Sequence, residues 1–247
     1  MTGRGPFAPW RWELLWNDKA VLLDGFVTTL LVSALALCVA LLLGIIFGLM
    51  GTSQKKVLRG VNRVYVEFFQ NIPLLVQVFF IYNAFPLMGI RWSTFMIGVL
   101  GVGIYHGAYV SEVIRAGIRS IPYGQNDAAK SQGFNYFQTM MYVILPQTVK
   151  IILPPLTNQA VNLIKNTSVL ATLSGLDLMY RADSWASQGT LSYGPAYVCA
   201  GVLYFIICFP LATWARWYER RIKSREHIQL SEAAEKELMM IAEEVIG

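Results

Sequence analysis

Asn158, Asn162, Lys165 and Asn166 recur near one helical face of an otherwise apolar run. Neutral amides with a single cation suit a zwitterion, whose carboxylate needs a positively charged partner. A second apolar run carries Tyr105, His106 and Tyr109, and a third carries Asn71, Pro73 and Gln77. Polar side chains at such depth are costly unless they face protein or water, so the set can line a solute path. Each can equally be hydrogen-bonding glue between helices, and for any one residue both readings stay open. Glu112 and Arg115 stand three apart, which places them to form an internal ion pair on one helix face. A proton relay through Glu112 is the alternative. His106 has no companion ligands at metal spacing and is expected to be packed or hydrogen-bonded. No nucleophile, base and orienting group cluster in the sequence, so catalysis and a metal site are not expected.

Elements that hold such residues must be helices in lipid. The chain has 247 residues, 55% of them hydrophobic and 14% charged, with a mean hydropathy of +0.47. Soluble domains carry about 25% charged residues. A spanning helix needs roughly 20 apolar residues, and the length allows about five. The expected spans are about 26–50, 61–85, 94–117, 148–172 and 196–217, the second interrupted at Asn71-Ile72-Pro73 and the fourth carrying Pro154-Pro155 near its start. Such proline breaks free backbone groups that can also meet a solute. The fold class is therefore all-α and integral to a membrane, since helices satisfy every backbone group internally. Residues 1–25 form a separate segment whose Trp10, Trp12 and Trp16 suit the headgroup zone, and whose acids argue against a cleaved signal. Cys38, Cys199 and Cys208 lie in apolar runs and give neither a disulfide framework nor a metal spacing.

Charge sets the orientation. Lys55, Lys56, Arg59 and Arg63 follow the first span, Arg115, Arg119, Lys130 and Lys150 surround the loop after the third, and five cations follow the fifth. Positive loops stay in the cytoplasm, so the N-terminus is expected outside and the C-terminus inside. The net charge of +5 is distributed by this rule and implies no nucleic-acid partner. Residues 221–247 read as an acidic helical tail in the cytoplasm, with Leu230, Ala234, Leu238, Ile241 and Val245 as its stripe.

Residues 122–146 form a polar elbow on the cytoplasmic side. Pro122 suits a helix start, Asp127 lies early in that helix, Gly133 can stop it with a positive φ, and Asn135 can cap a second short helix ending at Pro146. Phe134, Tyr136 and Phe137 add aromatic surface, which can anchor in another protein's groove or rest on lipid headgroups. Gly124–Ser131 nearly spells a phosphate-binding loop, but Ala129 replaces its second glycine and no buried strand precedes it.

Asp127-Ala128-Ala129, Gly133 and Val143-Ile144-Leu145-Pro146 resemble the EAA signature of ABC importer permeases, with Asp127 for the glutamate and Val143 for the isoleucine. "EFFQNIPLLVQVFFIY" at 67–82, "AYVSEVIRAGIRSIPYGQ" at 108–125 and "LPPLTNQAVNLIKNTSV" at 153–169 extend the resemblance to the polar amino acid subfamily, over about residues 25–220. The subfamily usually has arginine where Gln70 stands. The resemblance implies a bacterial inner-membrane permease domain over 26–220, with the elbow between the third and fourth spans as the coupling helix. Asp127, Ala128, Ala129, Gly133, Phe134, Leu145 and Pro146 would then meet an ATP-binding subunit dimer. It further implies a second permease subunit, identical or paralogous, and an extracytoplasmic substrate-binding protein or domain. ATP and magnesium would be bound by the partner ATPase and no cofactor by this chain. Asparagine at 166, where permeases for cationic amino acids frequently carry an acid, tilts the expected substrate toward acidic or neutral polar amino acids such as glutamate or glutamine. A proton-coupled secondary transporter working through Glu112 and His106 is the alternative.

Overall fold

Backbone groups without water must pair within the chain, and all the described regular structure is helical. The computed structural model describes residues 5–188 and 191–246, with side chains up to Ile222 and that of Ser224. Helix α1 (Pro9–Asn17) leads into the long α2 (Lys19–Thr52), which ends beside the first arginine-rich loop. Helices α3 (Lys56–Asn71) and α4 (Leu74–Leu87) follow, bent by 96° at the break between them. Next comes α5 (Thr94–Arg119), started by Ser93, whose hydroxyl accepts a hydrogen bond from the Met96 amide at 3.2 Å. Among the described residues, four helices are long and apolar enough to cross a membrane, and the bent α3–α4 pair makes a fifth span if counted as one.

The core is the seam between α2 and α5. Val32, Ala36 and Ala40 meet Val99, Val102 and Val110, and Val78 and Leu163 close the cluster from neighbouring helices. Small residues let the two backbones approach. At Gly103 an added Cβ would lie 2.7 Å from Val39 Cβ and 3.0 Å from the Ala36 carbonyl oxygen, so no side chain fits there.

The interruption in the second span has a clear cause. Pro73 has no N–H to donate to the Phe69 carbonyl. Gln77 supplies the missing donor: its Nε2 reaches the oxygens of Phe69 at 3.0 Å and Ile72 at 2.9 Å. Gln77 thus holds the bend and is buried there. Pro154 and Pro155, expected to break the fourth span, lie inside a continuous helix.

After α5 the elbow forms α6 (Tyr123–Ser131) and α7 (Tyr136–Gln138). Instead of ending at Pro146, α7 passes through a π-helical turn, Thr139–Ile144, directly into α8 (Leu145–Asn166), which a 3₁₀ turn continues to Leu173. The helix that carries the fourth span therefore begins well before Thr148. Helices α9 (Leu178–Ser187) and α10 (Tyr193–Ile246) complete the chain, the latter carrying the fifth span unbroken into the tail. The tail's apolar stripe from Leu230 to Val245 lies outside the side chains described.

Helix α9 is fastened to the first half of α2. Arg181 pairs with Asp24 at 2.6 Å, Trp185 donates to Asp18 at 2.9 Å, and the Leu178 amide donates to Thr29 Oγ1 at 3.0 Å. Asp177 caps α9 by accepting from the Met179 amide at 3.0 Å, yet it is fully buried. Burial pushes its carboxyl up to about 6, against the pull of the amide donors. Because the folded value lies above the ordinary 3.8, the stability this group contributes is whole below pH 3.8 and is lost as pH rises through about 6. Asp177→Asn keeps the cap and removes the charge. The variant should be more stable than the wild type at about pH 8, by on the order of 2–3 kcal/mol, and match it near pH 4. Thermal melts in detergent across that range check the crossover, and parallel curves would contradict it.

Candidate functional site: a polar cavity between α5 and α8

A cavity of about 430 Å³ opens where α5 faces α8, lined by Tyr105, His106, Tyr109, Gln159, Asn162, Lys165 and Asn166. Its size falls within the range of roughly 300–1,000 Å³ usual for small-molecule sites. Helical spacing assembles it. Tyr105 and Tyr109 stand one turn apart on α5, their hydroxyls 3.0 Å from each other and their rings 5.1 Å apart. Gln159, Asn162 and Asn166 follow at steps of three and four on α8. A 3.0 Å hydrogen bond between Asn166 Nδ2 and His106 Nε2 joins the two walls. His106 is buried behind it, the packed, hydrogen-bonding residue expected.

Lys165 is the only cation among the lining residues, and no acid accompanies it. Its ammonium makes no ion pair among the described residues. A lone ammonium among neutral donors and acceptors in a recess is complementary to a carboxylate on a polar solute. Two tyrosine faces beside it offer a soft contact for a solute's own ammonium.

Five of the eight residues read as a solute path meet here: Tyr105, Tyr109, Asn162, Lys165 and Asn166. The other three do not. Asn158 is exposed one turn away on α8. Asn71 is exposed and bonds back to the Glu67 carbonyl at 2.7 Å, and Gln77 is committed to the bend. Gln159 and His106, both among the polar residues at span depth although His106 was expected to be packed, line the cavity as well. The signal for Gln159 was its step of three before Asn162.

Glu112 and Arg115 form the expected pair, with Nε to Oε1 at 2.8 Å and a second bond from Nη2 to Oε2. A bidentate geometry of this kind holds both groups in place.

The elbow stands at the arginine-rich end of the bundle. Asp127 and Ala128 are exposed, whereas Ala129 is buried against the following turn. Asp127 is the fifth residue of α6 rather than a first-turn residue, and lies 3.8 Å from Lys130 in an exposed pair. Gly133 closes the helix at φ +83°, its amide bonded to the Lys130 carbonyl at 2.9 Å. Asn135 and Gln138 form a reciprocal cap on α7. Phe134 turns inward to contact Tyr142, while Tyr136 and Phe137 remain exposed. Leu145 is half-buried and Pro146 exposed at the start of α8.

Spanning helices around a polar cavity, with a projecting elbow at one end, are the parts of a solute permease. Residues 40–224 match the family described as binding-protein-dependent transport system inner membrane component, and the chain belongs to that family, as an ABC importer permease of the amino acid type. A probable glutamine ABC transporter permease protein, GlnM of Bacillus subtilis (strain 168), is 40% identical over 211 residues, covering 85% of this chain and 97% of GlnM. A putative glutamine transport system permease protein, GlnP of Rickettsia bellii, is 36% identical over 202 residues, 81% of this chain and 92% of its own. The crystal structure of an amino acid ABC transporter with histidines superposes with a TM-score of 0.78 at 33% identity, over 85% of this chain and 98% of that one.

Proposed function

We propose that this chain forms one half of the path through an ATP-driven importer of neutral or acidic polar amino acids, glutamine foremost, and is moved by a separate ATPase. The observation that carries the substrate reading is the unpaired Lys165 in a cavity without an acid. Such a site attracts a carboxylate and offers no partner to a cationic side chain. The names of the related permeases, glutamine among them, point the same way.

The N-terminus lies outside and the α6 end inside, as the arginine-rich loops imply. An ATP-binding subunit dimer grips α6, with Asp127 and Ala128 on the gripped face and Gly133 fixing its angle. ATP and magnesium are held in that partner. A second permease subunit, identical or paralogous, completes the path, and a binding protein outside the membrane delivers the solute. Closure of the ATPases rocks the spans, and the cavity meets the amino acid in passing. The proton-driven alternative has little support, because Glu112 is held in a bidentate pair and His106 is buried against Asn166.

Uptake of labelled glutamine into vesicles holding the whole importer tests the substrate reading. Unlabelled glutamine and glutamate should suppress it strongly and arginine only weakly. Suppression by arginine as strong as by glutamine would contradict the charge argument.

A further inference from the structure

The arginine-rich end of the bundle contains a second cavity, of about 390 Å³, in the seam between α3 and α5. Four guanidiniums line it, from Arg59, Arg63, Arg115 and Arg119, together with the carboxylates of Glu67 and Glu112. Both acids are already committed, Glu67 to Arg63 at 2.7 Å and Glu112 to Arg115. Among the described residues, Arg59 and Arg119 hydrogen-bond to backbone carbonyls. Arg59 Nη1 donates to the carbonyls of Ser53 and Gln54 at 2.9 Å each, and Arg119 Nη2 donates to Gly51 at 3.3 Å. These carbonyls fix two guanidiniums at the end of α2 and leave most of their donors free. The cavity therefore carries two positive charges without a counter-ion among the described residues.

A separate apolar groove of about 390 Å³ lies between α5 and the α3–α4 bend, walled by residues that include Phe69, Ile72, Phe80 and Ile104. Ile104 lies about 12 Å along α5 from Glu112, by the rise of the helix. That depth is inside the ~15 Å of hydrocarbon in one leaflet. Cations at the headgroup level and an apolar trough beneath them match the two ends of one lipid molecule. Basic pockets between spanning helices on the cytoplasmic side are suited to anionic headgroups.

We propose that the α3–α5 seam binds one anionic phospholipid of the inner leaflet, its phosphate between Arg59 and Arg119 and an acyl chain in the groove. Arg59 and Arg119 also wall a neighbouring cavity that includes Tyr123 and Asn126 of α6, so the headgroup would rest against the base of the elbow. The proposal relies on the orientation given above, but its test reads lipid and not transport, so the two can fail separately.

The purified chain, in nanodiscs of phosphatidylethanolamine with or without phosphatidylglycerol, is transferred to detergent, and the retained lipid is counted by native mass spectrometry. Phosphatidylglycerol should be retained about tenfold or more over phosphatidylethanolamine. The double variant Arg59→Gln, Arg119→Gln should lose that preference. Val76→Trp, which fills the groove from an exposed position on α4, should reduce retention of both lipids. Melting curves verify that each variant is folded. An unchanged preference in the double variant would overturn the proposal, as would full retention in Val76→Trp. So would displacement of phosphatidylglycerol by millimolar inorganic phosphate, which would mark a simple anion cavity.

Discussion

Gly133→Val should reduce ATP-driven uptake at least about tenfold while leaving the chain inserted in the membrane. Gly133 adopts φ +83°, in the left-handed region that a β-branched side chain enters only at a cost of about 1–3 kcal/mol. Crowding is not the cause, because an added Cβ at this glycine would meet nothing within 4 Å. The penalty falls on the backbone alone. It is relieved when the turn re-forms, which breaks the 3.1 Å bond from the Phe134 amide to the Ala129 carbonyl and swings α6. None of the three clusters of the helical core includes a residue of α6, so folding should survive the change. On the proposed function, transport depends on the angle at which α6 is gripped and should not survive it. Gly133→Ala should fall between the two, having one methyl and no β-branch. Uptake and membrane content measured together decide the matter, and normal uptake in the valine variant would show that α6 carries no force.

Lys165→Met should lower transport efficiency about ten- to hundredfold, by removing the cavity's one cation while keeping an apolar stem of similar length. A hydrogen bond to a charged group contributes roughly 1.5–3 kcal/mol, which sets that range. Its ammonium makes no ion pair among the described residues and the side chain is exposed, so the substitution strands no buried charge. Nucleotide hydrolysis in the assembled importer should continue, since the cavity lies away from the elbow. Kinetics of labelled glutamine uptake provide the readout. Unchanged kinetics would place Lys165 off the path.

The sequence announced the five apolar runs clearly, because lipid demands long uninterrupted stretches and leaves little room for another reading. It also announced the turn at Gly133 and the cap at Asn135, where local backbone chemistry decides the outcome. Proline was a less faithful guide. Pro73 coincides with a 96° bend, yet Pro154 and Pro155 lie inside a continuous helix. At the first break Gln77 is placed to bond across the bend to the carbonyl that Pro73 frees, whereas α8 runs on through both of its prolines. That information is tertiary and does not appear in a residue string. The same limit explains Gln77 itself, which looked like a path residue because depth and polarity were visible but its partner was not. Asn158 and Gln159 are adjacent, and only the facing of α8 toward α5 decides which of them meets the cavity. The arginine cluster was legible only as a sign of sidedness. That it encloses a cavity became visible once α3 folded against α5.

The claim that force enters this chain from outside, through α6, has one direct measurement. The purified permease is reconstituted in vesicles with its binding protein and labelled glutamine, with and without an ATP-binding subunit and ATP. Accumulation against a gradient should occur only when the subunit and ATP are both present. Uphill accumulation by the permease in their absence would contradict the account.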